Sequence, residues 1–291
     1  MRHPRVGVAV LTMGNRPDEL RALLDSVAKQ DAAPTRVVVV GNGSPLPPLP
    51  DWVTAVELDE NLGVSGGRNA ALRALKEFGD VDVVVDLDDD GLLISPDVFG
   101  QIQELYEQDG LLGIVSFRIA DETGHTQRRH VPRLRAADPM RRGLVTTFLG
   151  GGHALSVPML KQVGGWPDEF FYAHEETDLA WRALDAGWRI LYEPGLVLQH
   201  PRTLPTRHAV YHRMVARNRV WLAKRHLPAA LAPVYLGVWA LLTLARSRSL
   251  GGLKAWAGGF VEGVRTPCGR RRPIAWATVW HMTKLGRPPI I

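Results

Sequence analysis

Apolar positions in the first ninety residues follow two alternating periods. Val6–Val10 is an unbroken apolar run of strand length, and Asn15-Arg16-Pro17-Asp18 then opens a helix. Leu20, Leu23, Leu24 and Val27 give that helix one apolar face at 3.6-residue spacing. The β-branched run Arg36–Val40 predicts a second strand, ending at Gly41-Asn42-Gly43-Ser44. Four prolines within residues 45–50 cannot join a hydrogen-bonded ladder, so that stretch is a loop. Val53–Leu58 predicts a third strand. Ser65 is expected to cap a helix running to about Phe78 through Ala70, Ala71, Leu72 and Leu75. Val81–Leu87 predicts a fourth strand that runs directly into Asp88-Asp89-Asp90.

Strands separated by helices imply an α/β fold with a doubly wound, mostly parallel sheet. In such sheets ligands sit beyond the carboxyl ends of the strands. Thr12–Arg16, Asn42–Ser44 and Asp88–Asp90 are therefore expected on one edge, facing one crevice.

Composition narrows the class. With 45% hydrophobic and 22% charged residues, the 291-residue chain is no disordered tail, collagen-like fibre or coiled coil. A single cysteine, Cys268, excludes a disulfide framework and a cysteine-ligated zinc site, and fits a reducing compartment. Arg2, His3 and Arg5 precede the first apolar run as in a signal peptide, but no small-residue cleavage site follows. The chain is expected to stay in the cytoplasm.

Charge changes the picture more. Residues 1–200 hold 19 Lys and Arg against 29 Asp and Glu, whereas residues 201–291 hold 16 against one acid, Glu262. Such a division suggests an acidic part suited to a metal and a basic part that meets something anionic.

Three segments carry chemistry, each with a plainer reading beside it. Asp88 and Asp90, alternate residues at a strand end, can face one ion while Asp89 faces elsewhere. Their hard oxygens suit Mg²⁺ or Mn²⁺, and the plainer reading is a solvated acidic turn. Asn61-Leu62-Gly63-Val64-Ser65-Gly66-Gly67-Arg68-Asn69 either brings backbone close to a ligand, with Arg68 reaching a phosphate or carboxylate, or simply leads into a helix. It is not a P-loop, because no Gly-Lys-Ser/Thr follows. Glu175-Glu176-Thr177-Asp178-Leu179, after Phe170-Phe171-Tyr172-Ala173-His174, opens a helix. One of its acids is either a general base in an aromatic-walled pocket or an ordinary partner of the helix dipole.

In order along the chain, these pieces resemble the inverting family-2 glycosyltransferases, which have the A-type (GT-A), Rossmann-like nucleotide-sugar-binding fold. The resemblance rests on Thr12-Met13-Gly14-Asn15-Arg16-Pro17, on Gly41-Asn42-Gly43-Ser44, and on Asn61 through Ala70 leading to Asp88-Asp89-Asp90. It continues through Gly150-Gly151-Gly152 and Val163-Gly164-Gly165-Trp166 to Glu175–Leu179, covering about residues 5–225. It implies a catalytic domain over residues 1–200, with a nucleotide-sugar half to about residue 95 and an acceptor half beyond it. Asp88 and Asp90 look like the pair that holds Mn²⁺ or Mg²⁺ against the donor diphosphate, with His200 as a further ligand. Thr12, Arg16, Asn42, Asn61, Arg68 and Asp89 look like nucleotide or donor positions, the donor being a UDP- or dTDP-sugar. Gly151, His153, Trp166 and Asp178 are expected at the acceptor. Where the family has Glu-Asp-x-Asp-Leu this chain reads Glu-Glu-Thr-Asp-Leu, so the base is expected to be Glu176, then Glu175.

Residues 201–291 form the second expected unit, basic and helical. Leu227–Ala245 lacks charge, but Pro228 and Pro233 interrupt it, leaving a helix from near Val234 of about 12–13 residues, too short to cross a bilayer. Trp239, Trp256, Trp276 and Trp280 accompany Arg246, Arg248, Arg265 and Arg270-Arg271-Arg272, a mix suited to a lipid headgroup layer. The readings are peripheral attachment to the inner face of an anionic membrane, internal packing, a homodimer contact through residues 227–291, or a true span. Nucleic acid is not an expected partner, since no recognition motif accompanies the charge. The acceptor is expected to be a glycan or lipid-linked. A nucleotidyltransferase of the same sheet type and a non-catalytic carbohydrate-binding protein are the rival functions.

Overall fold

A computed structural model describes residues 3–134, 138–202, 209–247 and 249–291; Arg2 and Arg248 lie outside them. Its sheet begins with β1 (Val6–Thr12), β2 (Arg36–Asn42), β3 (Thr54–Leu58) and β4 (Val83–Asp88), parallel throughout in the order β3-β2-β1-β4. Val37–Val40 and Val83–Val85 are buried on both sides, as continuous apolar runs are in covered parallel sheets. The sheet continues through β8 (Gly152–Ser156), β6 (Leu112–Ala120), β9 (Arg189–Gln199) and β5 (Leu92–Leu93), with β7 (Gly143–Leu144) also on β9. β8 runs against both β4 and β6, so the antiparallel ladders gather in the second half while β6 and β9 stay parallel. β9 is longer than its sequence suggests, because a register shift between Phe117 and Arg118 accommodates Pro194 in an irregularity.

Helices cover the sheet. α1 (Pro17–Ala28) starts with proline in its first turn and buries Leu20, Leu23, Leu24 and Val27 as its spacing requires. α2 (Gly63–Phe78), α3 (Val98–Gln108), α4 (Val157–Val163) and α5 (Glu175–Asp185) complete the first part. Ser65 does not cap α2: the helix begins two residues earlier, and the Ser65 hydroxyl is buried without a partner. Asparagines serve that terminus instead. Asn61 Oδ1 accepts from the Gly63 amide at 2.8 Å, and Asn42 Oδ1 accepts from the Leu62 amide at 2.9 Å. Gly63 has φ +72°, and a Cβ there would collide with Phe171, so only glycine lets this turn approach the loop before α5.

Residues beyond 208 form α6 (Ala209–His226), α7 (Leu231–Arg246), α8 (Leu250–Arg265) and α9 (Trp276–Lys284). They share one core with the second half of the sheet: Trp221, Leu222, Leu227, Tyr235, Ile274, Val279 and Met282 pack with Trp166, Phe170, Leu179, Trp181 and Tyr192. Glu262 receives Arg213 at 2.7 Å and Arg217 at 3.4 Å, joining α8 to α6. α7 takes in Pro233 near its start and so reaches 16 residues, about 24 Å. Among the described residues no helix is long and apolar enough to cross a membrane.

The loop entering α5 is conformationally costly. Phe171, Ala173 and His174 all have positive φ, at 61°, 71° and 71°. Asn218 on α6, fully buried, holds this loop: its Nδ2 lies 2.9, 2.8 and 2.7 Å from the carbonyls of Phe170, Tyr172 and Ala173. Arg217 Nη2 adds a bond to the Phe170 carbonyl at 3.0 Å. Asn218→Ala is expected to destabilise the fold by about 2–4 kcal/mol, since buried carbonyls would lose their donor. Urea denaturation measures this; a loss below about 0.5 kcal/mol would show that the loop holds itself.

Candidate active site

Sheet register gathers one group of acids. Leu92 of β5 pairs with Gln199 of β9, so the turn carrying Asp88–Asp90 and the residue after β9, His200, meet at the same strand ends. His200 Nε2 lies 3.0 Å from Asp90 Oδ1 and 3.9 Å from Asp88 Oδ2. The hydrogen bond to Asp90 raises His200 to a pKa of about 9, against the opposing effect of burial. One ligand atom each from Asp88, Asp90 and His200 lies within 4.8 Å of the other two. Two carboxylate oxygens and one imidazole nitrogen so close together fit a divalent ion that prefers oxygen but accepts nitrogen.

Asp89 points away, as strand alternation requires, and accepts a 2.6 Å hydrogen bond from Thr12 Oγ1. Arg16 pairs closely with Asp90 through Nη1, which lies 3.7 Å from Asp89. Thr12 and Arg16 therefore fix the acidic turn from the end of β1. Asn42 and Asn61 sit on the same edge, joined at 3.0 Å, and shape the start of α2 as described above.

Arg68, on α2, connects this group to the next. It is only 4% exposed, lying 3.1 Å from Asp86, 3.7 Å from Asp88 and 3.9 Å from Glu175. Its Nη2 donates to the Gly150 carbonyl at 2.6 Å, and its guanidinium lies over Trp166 at 4.9 Å from the ring centre. Burial opposes its charge, but Asp86, Asp88, Glu175 and Glu176 surround it and keep it protonated. Burial raises Asp86 to a pKa of about 6, against the pull of Arg68.

The two glutamates close the ring. A Cβ on Gly150 would strike the Glu176 carboxylate, and one on Gly151 would strike Asp88, so this glycine pair lets both acids lie over one stretch of backbone. Glu175 and Glu176 stand next to each other at the start of α5, and Glu175 Oε2 is buried without a hydrogen-bond partner. Burial, then the charge of Glu176, pushes Glu175 well above the ordinary carboxylate range, and burial raises Glu176 as well. Two neighbouring carboxylates in so little water favour sharing one proton, so the pair can hold a proton and still offer one basic carboxylate. Both line a cavity of about 280 Å³ with Tyr172, His174, Tyr211 and Arg219.

Three sequence expectations need correction. Asp178 does not face an acceptor: it is 1% exposed between α5 and α6, bonded to Arg182 at 2.7 Å, His226 at 2.6 Å and Arg225 at 3.3 Å. Those partners outweigh burial and hold its pKa low. His153 is fully buried on β8, and burial keeps it neutral. Trp166 packs on His153 at 5.5 Å and on Phe148 at 6.0 Å, a platform beneath Arg68 rather than a ligand wall. Trp239 and Trp256 likewise turn inward, their indole nitrogens buried.

Asp86 and Asn218 escaped the sequence reading. Asp86 carried a signal, since it is a charge inside an apolar strand in phase with Asp88 and Asp90. Asn218 carried none, because only the tertiary fold brings it to the loop 48 residues earlier.

Comparison with known proteins gives a consistent picture. The family model "Glycosyl transferase family 2" matches residues 9–164, more than half of the chain. No protein of curated function matches the sequence. Among solved structures, a mannosyltransferase from Pyrobaculum calidifontis, in complex with GDP-Man and Mn²⁺, superimposes with a TM-score of 0.57 at 20% identity, covering 98% of this chain and 85% of that one. TarS 1–349 from S. aureus gives 0.59 at 18% identity, covering 90% and 81%. GalNAc-T7, solved with UDP, GalNAc and Mn²⁺, gives 0.65 at 12% identity, and this chain spans only 55% of its length. At these identities the likeness carries the fold. The match over residues 9–164, on a sheet of this topology, makes the chain a member of glycosyl transferase family 2 with the GT-A fold.

Proposed function

We propose that this glycosyltransferase moves a hexosyl or deoxyhexosyl group from a UDP- or dTDP-sugar to an acceptor hydroxyl, with inversion, at the inner surface of a membrane. The convergence of Asp88, Asp90, His200, Glu175 and Glu176 around Arg68 carries this reading. A carbohydrate-binding module has no need of a buried, proton-sharing glutamate pair beside a metal-type cluster. Nor does the strand end at Thr12–Arg16 carry the arginines and lysines that a nucleotidyltransferase needs around a triphosphate.

Asp88, Asp90 and His200 would hold the divalent ion, Mn²⁺ suiting the imidazole better than Mg²⁺. When bound, the ion offsets charge growing on the nucleoside diphosphate leaving group. Thr12 and Arg16 orient Asp89 and Asp90. Arg68 offsets the negative charge that Asp88 and the glutamates bring into one small volume. Glu176, whose carboxylate lies over Gly150, takes the proton of the acceptor hydroxyl as that oxygen attacks the anomeric carbon from the face opposite the leaving group. One displacement inverts the centre.

Apolar exposure supports the surface setting. Leu241, Leu244, Leu250, Trp276 and Trp280 are between 51% and 87% exposed on α7, α8 and α9, in a part of the chain with 16 basic residues and one acid.

Glu176→Gln is expected to lower nucleoside diphosphate release by about 10²–10⁴-fold, whereas Glu175→Gln keeps most of it. Equal loss in the two would remove the assignment. Glu176 must be ionised, so activity falls as pH drops through its raised pKa, giving an acid limb above the usual ~4.3 of glutamate. EDTA is expected to abolish turnover and Mn²⁺ to restore it in the parent protein but not in Asp90→Ala; turnover in EDTA would refute the metal role. Flotation with phosphatidylglycerol vesicles at low salt is expected, and its absence would refute the membrane setting.

A further inference from the structure

The C-terminal helices contain a cationic site that none of the chemistry above uses. Arg219 on α6 and Arg287, just after α9, line a cavity of about 90 Å³ with His174, Thr146, Thr147 and Thr177. The charged and ionisable groups acting on Arg219 are Tyr235 and Tyr211, and those acting on Arg287 are Tyr235 and Arg219. Among the described residues neither guanidinium has an Asp or Glu carboxylate within ion-pair distance; Arg219 bonds Tyr235, and Arg287 Nε lies 3.5 Å from the terminal oxygen of Ile291. Elsewhere in this molecule the buried arginines have acidic partners: Arg68 has Asp86, and Arg225 has Asp178. Burial and mutual repulsion lower the pKa of Arg287, and burial lowers that of Arg219. Two adjacent, largely desolvated cations with no Asp or Glu beside them are better satisfied when an anion joins them.

Further polar atoms there await partners. Arg219 Nε and His174 Nε2 are buried and unbonded. Burial and the two arginines keep His174 neutral, so one of its ring nitrogens can donate to an anion. Three threonine hydroxyls complete a donor-rich lining of the kind that suits phosphate oxygens.

Position gives the anion its context, because Arg219 borders three spaces. One is the cationic cavity, the second is the 280 Å³ cavity of Glu175 and Glu176, and the third is a groove of about 450 Å³ between α6, α7 and α8. The groove is lined by Trp239, Leu242 and Trp256, and it ends at Arg246, Ser247 and Ser249, between the exposed Leu244 and Leu250. Arg219 stacks on Trp239 at 3.6 Å, where the cationic cavity meets the groove. A carboxylate site, a cation site and a groove with an apolar Trp239–Leu242–Trp256 wall and a polar His212, Thr243, Arg246 side thus adjoin at one residue.

We propose that Arg219, Arg287 and His174 bind a phosphate group of the acceptor, which joins a saccharide at Glu176 to an apolar chain lying in the Trp239–Trp256 groove. This rests on the transfer reading above and names the acceptor's chemistry, an amphiphilic sugar phosphate. Apart from Thr146 and Thr147, the residues of this arrangement lie beyond the family match at residue 164.

Equilibrium binding to the full chain with Mn²⁺, followed by tryptophan fluorescence, tests it without any donor sugar. The probes are monomeric decyl phosphate, decyl maltoside with the same chain and no charge, and inorganic phosphate. Decyl phosphate is expected to bind at least tenfold tighter than either other probe. Arg219→Gln and Arg287→Gln should each weaken it about tenfold or more, the scale of one charge-assisted hydrogen bond. Trp239→Ala should weaken decyl phosphate while leaving inorganic phosphate unchanged. Stabilisation of each variant by Mn²⁺ with UDP against thermal unfolding reports that the fold is intact. Equal binding of decyl maltoside, or unchanged affinity in both arginine variants, overturns the phosphate site. Equal binding of inorganic phosphate overturns the role of the groove. Either failure leaves the transfer reading standing, whereas decyl phosphate binding in a protein that releases no nucleoside diphosphate from any donor refutes the transfer reading instead.

Discussion

One buried guanidinium organises the centre of this protein. Arg68 is almost inaccessible, and four acids from two separate elements lie around it: Asp86 and Asp88 of β4 and the Glu175–Glu176 pair at the start of α5. Without a cation between them, so many carboxylates in so small a volume would repel one another or take up protons. With it, the acids gather close enough to act on one bound molecule. The supporting parts follow from holding Arg68 in place: Trp166 beneath its face, the Gly150 carbonyl at its edge, and a glycine pair that admits the carboxylates from above. The raised pKa values of both glutamates belong to the same balance, since one arginine cannot neutralise every acid around it.

Strand register and loop strain supply the precision. His200 reaches Asp90 because β5 and β9 pair in a fixed register, and a one-residue slip would turn it to the other side of the sheet. The glutamates reach Arg68 because the loop before α5 is held in left-handed conformations that its own residues disfavour, with Asn218 and Gly63 making that shape possible. Helix α6 therefore shapes the site although it lies outside the family match, and Trp221, Tyr235 and Met282 share one core with the second half of the sheet.

Much of this was legible in the sequence, for definite reasons. The alternation of strand and helix periods, the acidic turn after β4 and the paired glutamates are local patterns, and the motif order identified the family. Side-chain facing was less legible. Asp178 stands three residues after Glu175, one helical turn on, yet it turns toward α6 and pairs with Arg225 and His226, which lie 47 and 48 residues away. Ser65 looked like a helix cap because asparagines elsewhere in the chain, Asn42 above all, could not be seen to do that work. Trp239 and Trp256 read as headgroup residues from composition, while in the fold they line an internal groove. In each case a contact between distant residues overrode a local preference.

Anomalous diffraction at the manganese edge, from crystals grown with Mn²⁺ and UDP, tests the central arrangement most directly. The expected result is one manganese peak within coordination distance of Asp88, Asp90 and His200, with the diphosphate lying between that peak and the cavity of Glu176. A peak elsewhere, or a nucleotide on a surface that Glu176 does not share, would contradict it.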